Sequence, residues 1–111
     1  MGAGTPFDLS VTEEPDTVVI TVSGELDLAT APQLREACAK AVLGTAGTVR
    51  IDVGALTFLD SSGISVLVEA HRDLDARNAS LVLHRVGDRT QRVLDVAGLS
   101  DFFSHSDQPT A

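Results

Sequence analysis

The sequence contains no tryptophan or tyrosine, and only four of its 111 residues are phenylalanine. Proteins that bind single-stranded nucleic acids usually stack the bases on aromatic side chains, and this chain has few of them. Basic residues are also scarce: eight lysines and arginines stand against sixteen acidic residues, for a formal net charge of -8. Such a charge repels nucleic-acid backbones and anionic membranes at long range. We therefore expect no nucleic-acid or membrane partner, and predict binding to proteins with basic or mixed surfaces.

The chain has a single cysteine, Cys38, and lacks any apolar run near the roughly 18 residues that a membrane helix requires. One thiol cannot form an internal disulfide, and residues 1–6 do not show the charged and apolar segments of a secretory signal. Cys38 lies on the apolar stripe of a predicted helix, where a thiol behaves as a small hydrophobe. We expect one domain, located in the cytoplasm.

The first two apolar segments have strand patterns. Residues 7–12 alternate apolar and polar side chains, and residues 17–22 are rich in β-branched residues. The connector between them contains Pro15 and acidic residues, as a turn does. The pattern predicts an antiparallel hairpin, with residues 24–27 following its second strand.

The rest of the chain alternates between helical and strand patterns. The predicted helices cover residues 30–44, 61–76 and 88–98, with Thr30 and Asp88 as caps. The predicted strands cover residues 48–53, 80–84 and a short segment at 101–104.

This order of elements indicates an α/β fold. Amphipathic helices between strands act as crossovers, so most of the sheet should be parallel, with the hairpin adding one antiparallel edge. We predict a single domain at residues 7–105, with flexible tails at 1–6 and 106–111.

Asp60, Ser61, Ser62 and Gly63 lie where a strand pattern changes to a helical one. The first turn of a helix has unpaired N–H donors and a partial positive charge, so it stabilises a nearby anion, including a phosphate on a serine. A simple helix cap needs one oxygen-bearing side chain, whereas this motif supplies three, and Gly63 would let a partner approach closely. The motif favours a phosphorylation-controlled binding module, with a simple cap as the alternative.

A catalytic serine is a third interpretation of this motif. Hydrolases of the nucleophile-elbow type have glycine two residues before the serine, where this chain has Leu59. His71 follows Ser61 by ten residues on the same predicted helix, which separates them by roughly 15 Å. His84 and His105 are typical of a strand and a tail without a chemical role. We expect no enzymatic activity.

Glu25 and Asp27 would point to the same side if the second strand continued through them. A metal site needs more ligands than two carboxylates, so solvation or capping of the next helix is favoured, and we expect no metal or cofactor. Their functional alternative is an acidic lip beside the serine motif. Arg85, Arg89 and Arg92, near the start of the third helix, could pair with acidic neighbours or with carboxylates of a partner, but solvated surface is favoured.

Three segments resemble those of bacterial anti-sigma factor antagonists, which are free-standing STAS domains. They are GELD at 24–27, LDSSGI at 59–64 and VAGL at 96–99. The resemblance covers residues 7–105 in order and spacing, and its first two segments are the more specific. It implies the STAS fold and a regulatory role.

The resemblance also implies a partner-switching mechanism. In that family the unmodified antagonist binds an anti-sigma factor with ATP-dependent serine kinase activity, and so releases a sigma factor. Phosphorylation by the kinase ends binding, and a metal-dependent serine/threonine phosphatase restores it. By motif position Ser61 is the phosphoacceptor, with Ser62 as second choice, and Asp27, Asp60, Ser62 and Gly63 are partner-binding residues.

Two other functions stay open. One is a STAS signalling module whose protein partner lies outside sigma-factor control. The other is a small-ligand sensor that holds a nucleotide with the loops around Asp27 and Asp60. The acidic surroundings oppose an anionic ligand there, although helix N-termini offset part of that charge.

Overall fold

The structure, a computed structural model, describes residues 6–106. Its five strands form one sheet in the order β1-β2-β3-β4-β5. The elements are β1 (Asp8–Glu14), β2 (Thr17–Leu26), α1 (Ala31–Leu43), β3 (Thr48–Leu59), α2 (Ser61–Asp75), β4 (Ser80–His84), α3 (Asp88–Val96) and β5 (Ser104–Ser106).

The sheet is parallel except at one edge. Strand β1 pairs antiparallel with β2, whereas β2, β3, β4 and β5 pair in parallel. Each helix connects two neighbouring parallel strands. The predicted α/β fold with an N-terminal hairpin and crossover helices is therefore confirmed.

The core lies on one face of this sheet. Alternate residues of the central strands are buried, as shown by Ile20, Ile51 and Leu83, none of which is exposed. The helices add Leu34, Leu67 and Leu94 to the same cluster. In the described part of the chain, no helix has both the length and the apolar character needed to cross a membrane.

Strands β2 and β3 are longer than predicted. The sequence pattern ends them at residues 22 and 53, whereas the structure continues them to Leu26 and Leu59. The register shifts between Thr21 and Ser23 and again between Gly24 and Glu25, and each shift adds a residue to β3 relative to β2. These bulges interrupt the period-two burial of β3 after Val53. Strand β2 keeps its alternation to Leu26, but Gly24 and Glu25 do not have the side chains typical of a strand.

Three end points also differ from prediction. Asp88 is the first residue of α3 rather than its cap, because Gly87 is the N-cap and there is no side-chain cap bond. The last strand begins at Ser104 rather than at 101, because the Phe102 N–H donates to the Leu99 carbonyl in a turn. Ser106, assigned to the C-terminal tail, belongs to β5. The remaining tail assignments fall on residues 1–5 and 107–111, outside the described residues, apart from Pro6, which precedes β1.

Cys38 is buried in the core, as the apolar stripe of its helix predicts. Burial, with a smaller contribution from the negative charge of Glu69, raises the pKa of the Cys38 thiol to about 12. Because the thiolate is the reactive form, the folded protein should react negligibly with a disulfide reagent at pH 8. Absorbance at saturating reagent should show one thiol per chain only after urea is added, with Cys38→Ala as the blank. Rapid reaction of the folded protein would contradict this burial.

Candidate functional site

The candidate site lies where β2 and β3 end side by side. Leu26 and Leu59 are register partners, and the Asp60 N–H donates to the Leu26 carbonyl at 3.3 Å. The segments 24–27 and 60–63 are therefore neighbours, although more than 30 residues separate them in the sequence. Binding sites of α/β proteins are commonly found at such carboxyl ends of parallel strands.

Asp60 is the N-cap of α2. One of its carboxylate oxygens accepts the Ser62 N–H at 2.8 Å and the Gly63 N–H at 3.4 Å. Its carbonyl accepts the Ile64 N–H at 3.1 Å, which begins the helical hydrogen bonding. A cap of this kind stabilises a protein by about 1 kcal/mol. Asp60 alone thus supplies the cap, and neither serine hydroxyl is needed for it.

Ser61 is the first residue of α2 and is exposed. Its carbonyl accepts the Ser65 hydroxyl at 2.9 Å, but within residues 6–106 its own hydroxyl makes no hydrogen bond to another protein group. Ser62 is half-buried beside it. Of the two serines, Ser61 therefore offers the more accessible hydroxyl to another protein.

Gly63 is buried against the ends of the two strands. A Cβ atom at this position would lie 2.7 Å from Leu26 Cγ and 2.7 Å from Leu59 Cδ1, closer than such atoms approach in proteins. The close approach that glycine permits is therefore between α2 and the core of its own domain. Gly63 sets how deeply the start of α2 packs on the sheet, and so where Ser61 lies.

Asp27 organises the loop between β2 and α1. Its carboxylate accepts the N–H groups of Ala29 at 3.0 Å and Thr30 at 3.1 Å. The Thr30 hydroxyl donates to the Glu25 carbonyl at 2.8 Å, so Thr30 occupies the N-cap position of α1 without capping it by its side chain. Among residues 6–106 no three metal-ligating side chains cluster. Asp27 therefore stabilises the turn before α1 and does not cap the helix itself, unlike the capping role that the sequence favoured for this acidic pair.

An apolar groove of about 450 Å³ borders Ser61. It lies between the start of α2 and helix α3, and is lined by Ser61, Ile64, Arg89, Arg92, Val93, Val96 and Ala97. Val96 is 85% exposed, so a large apolar side chain faces solvent here. The serine motif thus stands at the edge of an apolar surface with two cationic side chains.

The groove was not predicted, because it combines two helices that are far apart in the sequence. The amphipathic pattern of α3 locates its buried face, but does not show which other element its remaining face adjoins. Arg89 is exposed, as predicted, and its Nη1 also donates to the Thr57 carbonyl at 2.6 Å. Arg85 forms an ion pair with Asp52 at 3.0 Å.

His71 belongs to an aromatic cluster. Its ring lies 4.6 Å from that of Phe102 and 5.9 Å from that of Phe103, measured between centroids. Phe103 is buried in the core. This packing gives His71 a structural role, in agreement with its predicted separation from Ser61.

Comparison with known proteins places this geometry in a family. The profile of the STAS domain matches residues 8–110. The anti-sigma-B factor antagonist of Listeria monocytogenes is 36% identical over 88 residues, covering 79% of this chain and 77% of that protein.

Solved structures agree with this match. An anti-sigma factor antagonist from Mycobacterium paratuberculosis aligns with a TM-score of 0.82 and 27% identity, covering 93% of this chain and 87% of that one. Two structures of SpoIIAA, the Bacillus cell fate determinant, are also 27% identical and cover 93% of this chain. The unphosphorylated form aligns with a TM-score of 0.75 over 90% of its own chain. The phosphorylated form aligns with a TM-score of 0.70 over 93% of its own chain. Since the family profile spans nearly the whole sequence, the chain belongs to the STAS domain family.

Proposed function

We propose that this STAS domain is an anti-sigma factor antagonist controlled by phosphorylation of Ser61. Its unphosphorylated form binds an anti-sigma factor with serine kinase activity and thereby releases a sigma factor. The observation that carries the proposal is the exposed Ser61 hydroxyl, free of any capping role, at the edge of the apolar groove. The antagonist names of its relatives support the same regulatory class.

Phosphorylation would alter the surface and leave the fold intact. Transfer from ATP forms a bond between Ser61 Oγ and the γ-phosphorus, breaks the bond to the ADP oxygen and releases the hydroxyl proton. The product carries a charge of about -1.5 to -2. Because Asp60 already accepts the Ser62 and Gly63 N–H groups, these two donors are not free to bind the new phosphate, which stays at the protein surface. The added anion therefore lies where a partner docks.

The partner surface combines residues with different roles. Ser61 and the groove wall, including Ile64 and Val96, would contact the anti-sigma factor directly. Asp27, Asp60, Ser62 and Gly63 form the rest of this site. Of these, Gly63 acts by positioning α2, because it is buried, while Asp27 holds a loop that presents Leu28, which is 76% exposed.

The same site would be the substrate of a metal-dependent serine/threonine phosphatase. A phosphate on this exposed first residue of α2 is accessible to such an enzyme. Its hydrolysis restores the hydroxyl and with it the binding surface. The domain itself then needs no catalytic activity, since kinase and phosphatase supply both chemical steps.

The test is to combine phosphorylation and binding in one experiment. The protein is incubated with candidate anti-sigma kinases from its own genome and ATP, and the phosphate is mapped by mass spectrometry. Gel filtration before and after the reaction measures the complex. We expect phosphate on Ser61, loss of the complex, and no modification of Ser61→Ala, whereas Ser62→Ala should still be modified. A complex that persists after complete phosphorylation, or no binding to any candidate kinase, would overturn the proposal.

A further inference from the structure

Only some of the basic side chains in the described residues form ion pairs. Within residues 6–106 the ion pairs join Arg35 to Glu69, Lys40 to Glu36 and Arg85 to Asp52. Arg92 is exposed and takes part in no ion pair within this described range. A free guanidinium in a protein of net charge -8 is available to bind an anion.

Arg92 and Ser61 belong to the same groove surface. Arg89 and Arg92 are three residues apart on α3, which places them on one side of the helix, and both line the groove together with Ser61. The contact of Arg89 with the Thr57 carbonyl uses only part of its hydrogen-bonding capacity, since a guanidinium has five N–H donors. Both arginine side chains therefore line the same groove as the residue to which a phosphate would be added.

We infer that phosphate on Ser61 is bound within the same molecule by Arg92, with Arg89 beside it, so that the modification bridges α2 and α3 across the groove. The inference rests on the proposed phosphorylation of Ser61. Arginine suits this role because its planar group can donate two parallel hydrogen bonds to phosphate oxygens.

The bridge has a consequence for the apolar surface. Helix α3 has nine residues and presents Val93 and Val96 to the groove, opposite Ile64 of α2. A phosphate held between the two helices restrains α3 and occupies the mouth of the groove. Phosphorylation would thus both add charge to the docking surface and close its apolar part.

The bridge can be tested without any kinase. Phosphoserine is incorporated at position 61 during translation of the full chain, and NMR follows the Arg92 Nε–Hε signal and the hydrogen exchange of the α3 amides. We expect phosphate to shift the Arg92 signal and to slow α3 exchange about threefold or more. Arg92→Gln should abolish the slowing, and Arg92→Lys should retain part of it. Arg72→Gln removes an exposed arginine outside the groove and should leave the slowing unchanged.

The outcomes separate this inference from the proposed function. An Arg92 signal and α3 exchange that do not respond to phosphate, or equal slowing in Arg92→Gln and wild type, would overturn the bridge. If the same phosphorylated protein still loses the anti-sigma factor, the proposed function stands without it. If the bridge forms but no kinase modifies Ser61, the bridge stands and the proposed function fails.

Discussion

Ser61→Asp should weaken binding to the anti-sigma factor about a hundredfold or more, whereas Ser61→Ala should bind as tightly as wild type. Aspartate places a second carboxylate next to Asp60, whose own carboxylate already accepts the Ser62 and Gly63 N–H groups. Binding would then bury a carboxylate in an interface formed around a hydroxyl, and removing a charge from water in this way costs several kcal/mol. Alanine removes only a hydroxyl that makes no hydrogen bond within the described residues.

Isothermal titration calorimetry measures these affinities directly. Ser80→Asp is the matched control, because it adds the same charge at an exposed residue at the start of β4, the opposite end of the strands from Ser61. It should bind like wild type. Similar affinities for Ser61→Asp, Ser61→Ala and wild type would exclude a charge-controlled interface at Ser61.

Gly63→Val should lower the free energy of unfolding by about 1–3 kcal/mol, as overpacking of a core does. The valine Cβ alone would meet Leu26 Cγ and Leu59 Cδ1 at 2.7 Å, so α2 must move away from the strand ends. That movement displaces Ser61, and binding to the anti-sigma factor should weaken as well.

Urea denaturation followed by circular dichroism gives the stability change. Ser65→Val introduces the same β-branched side chain at an exposed position of α2 without the clash. It also removes the exposed hydrogen bond from the Ser65 hydroxyl to the Ser61 carbonyl, a bond within one helix that contributes little to stability. Its stability should stay within about 0.5 kcal/mol of wild type. Equal losses in the two variants would show that the space around Gly63 is not limiting.

The order of elements could be read from the sequence because it depends on local periodicity. Helices α1 and α2 and the start of β3 follow apolar patterns that few other structures satisfy. The end of β3 could not be read in this way, because bulges shift its register and end the alternation after Val53. The end of β2 does alternate, but Gly24 and Glu25 are residue types that strands disfavour. Bulges are set by pairing between strands, which a single segment does not encode.

Local sequence also predicts one part of the candidate site, whereas the other part depends on contacts between distant segments. Asp60, Ser61 and Ser62 were found because a local change from strand to helix places them on a first turn. The sequence indicated that Gly63 lets a partner approach closely. In the structure Gly63 instead lets α2 pack against Leu26 and Leu59, which belong to two different strands. Its role in packing became visible only with both strand ends in place.

By itself the sequence determined the fold class and the accessible hydroxyl at the start of α2, because both follow from neighbouring residues and their hydrogen bonds. Only the tertiary structure decided that α3 lies beside Ser61, and with it the apolar groove and the two arginines at its rim. The physical reason is that an amphipathic pattern fixes which face of a helix is buried. The side chains that meet on its other face depend on the packing of segments distant in the sequence.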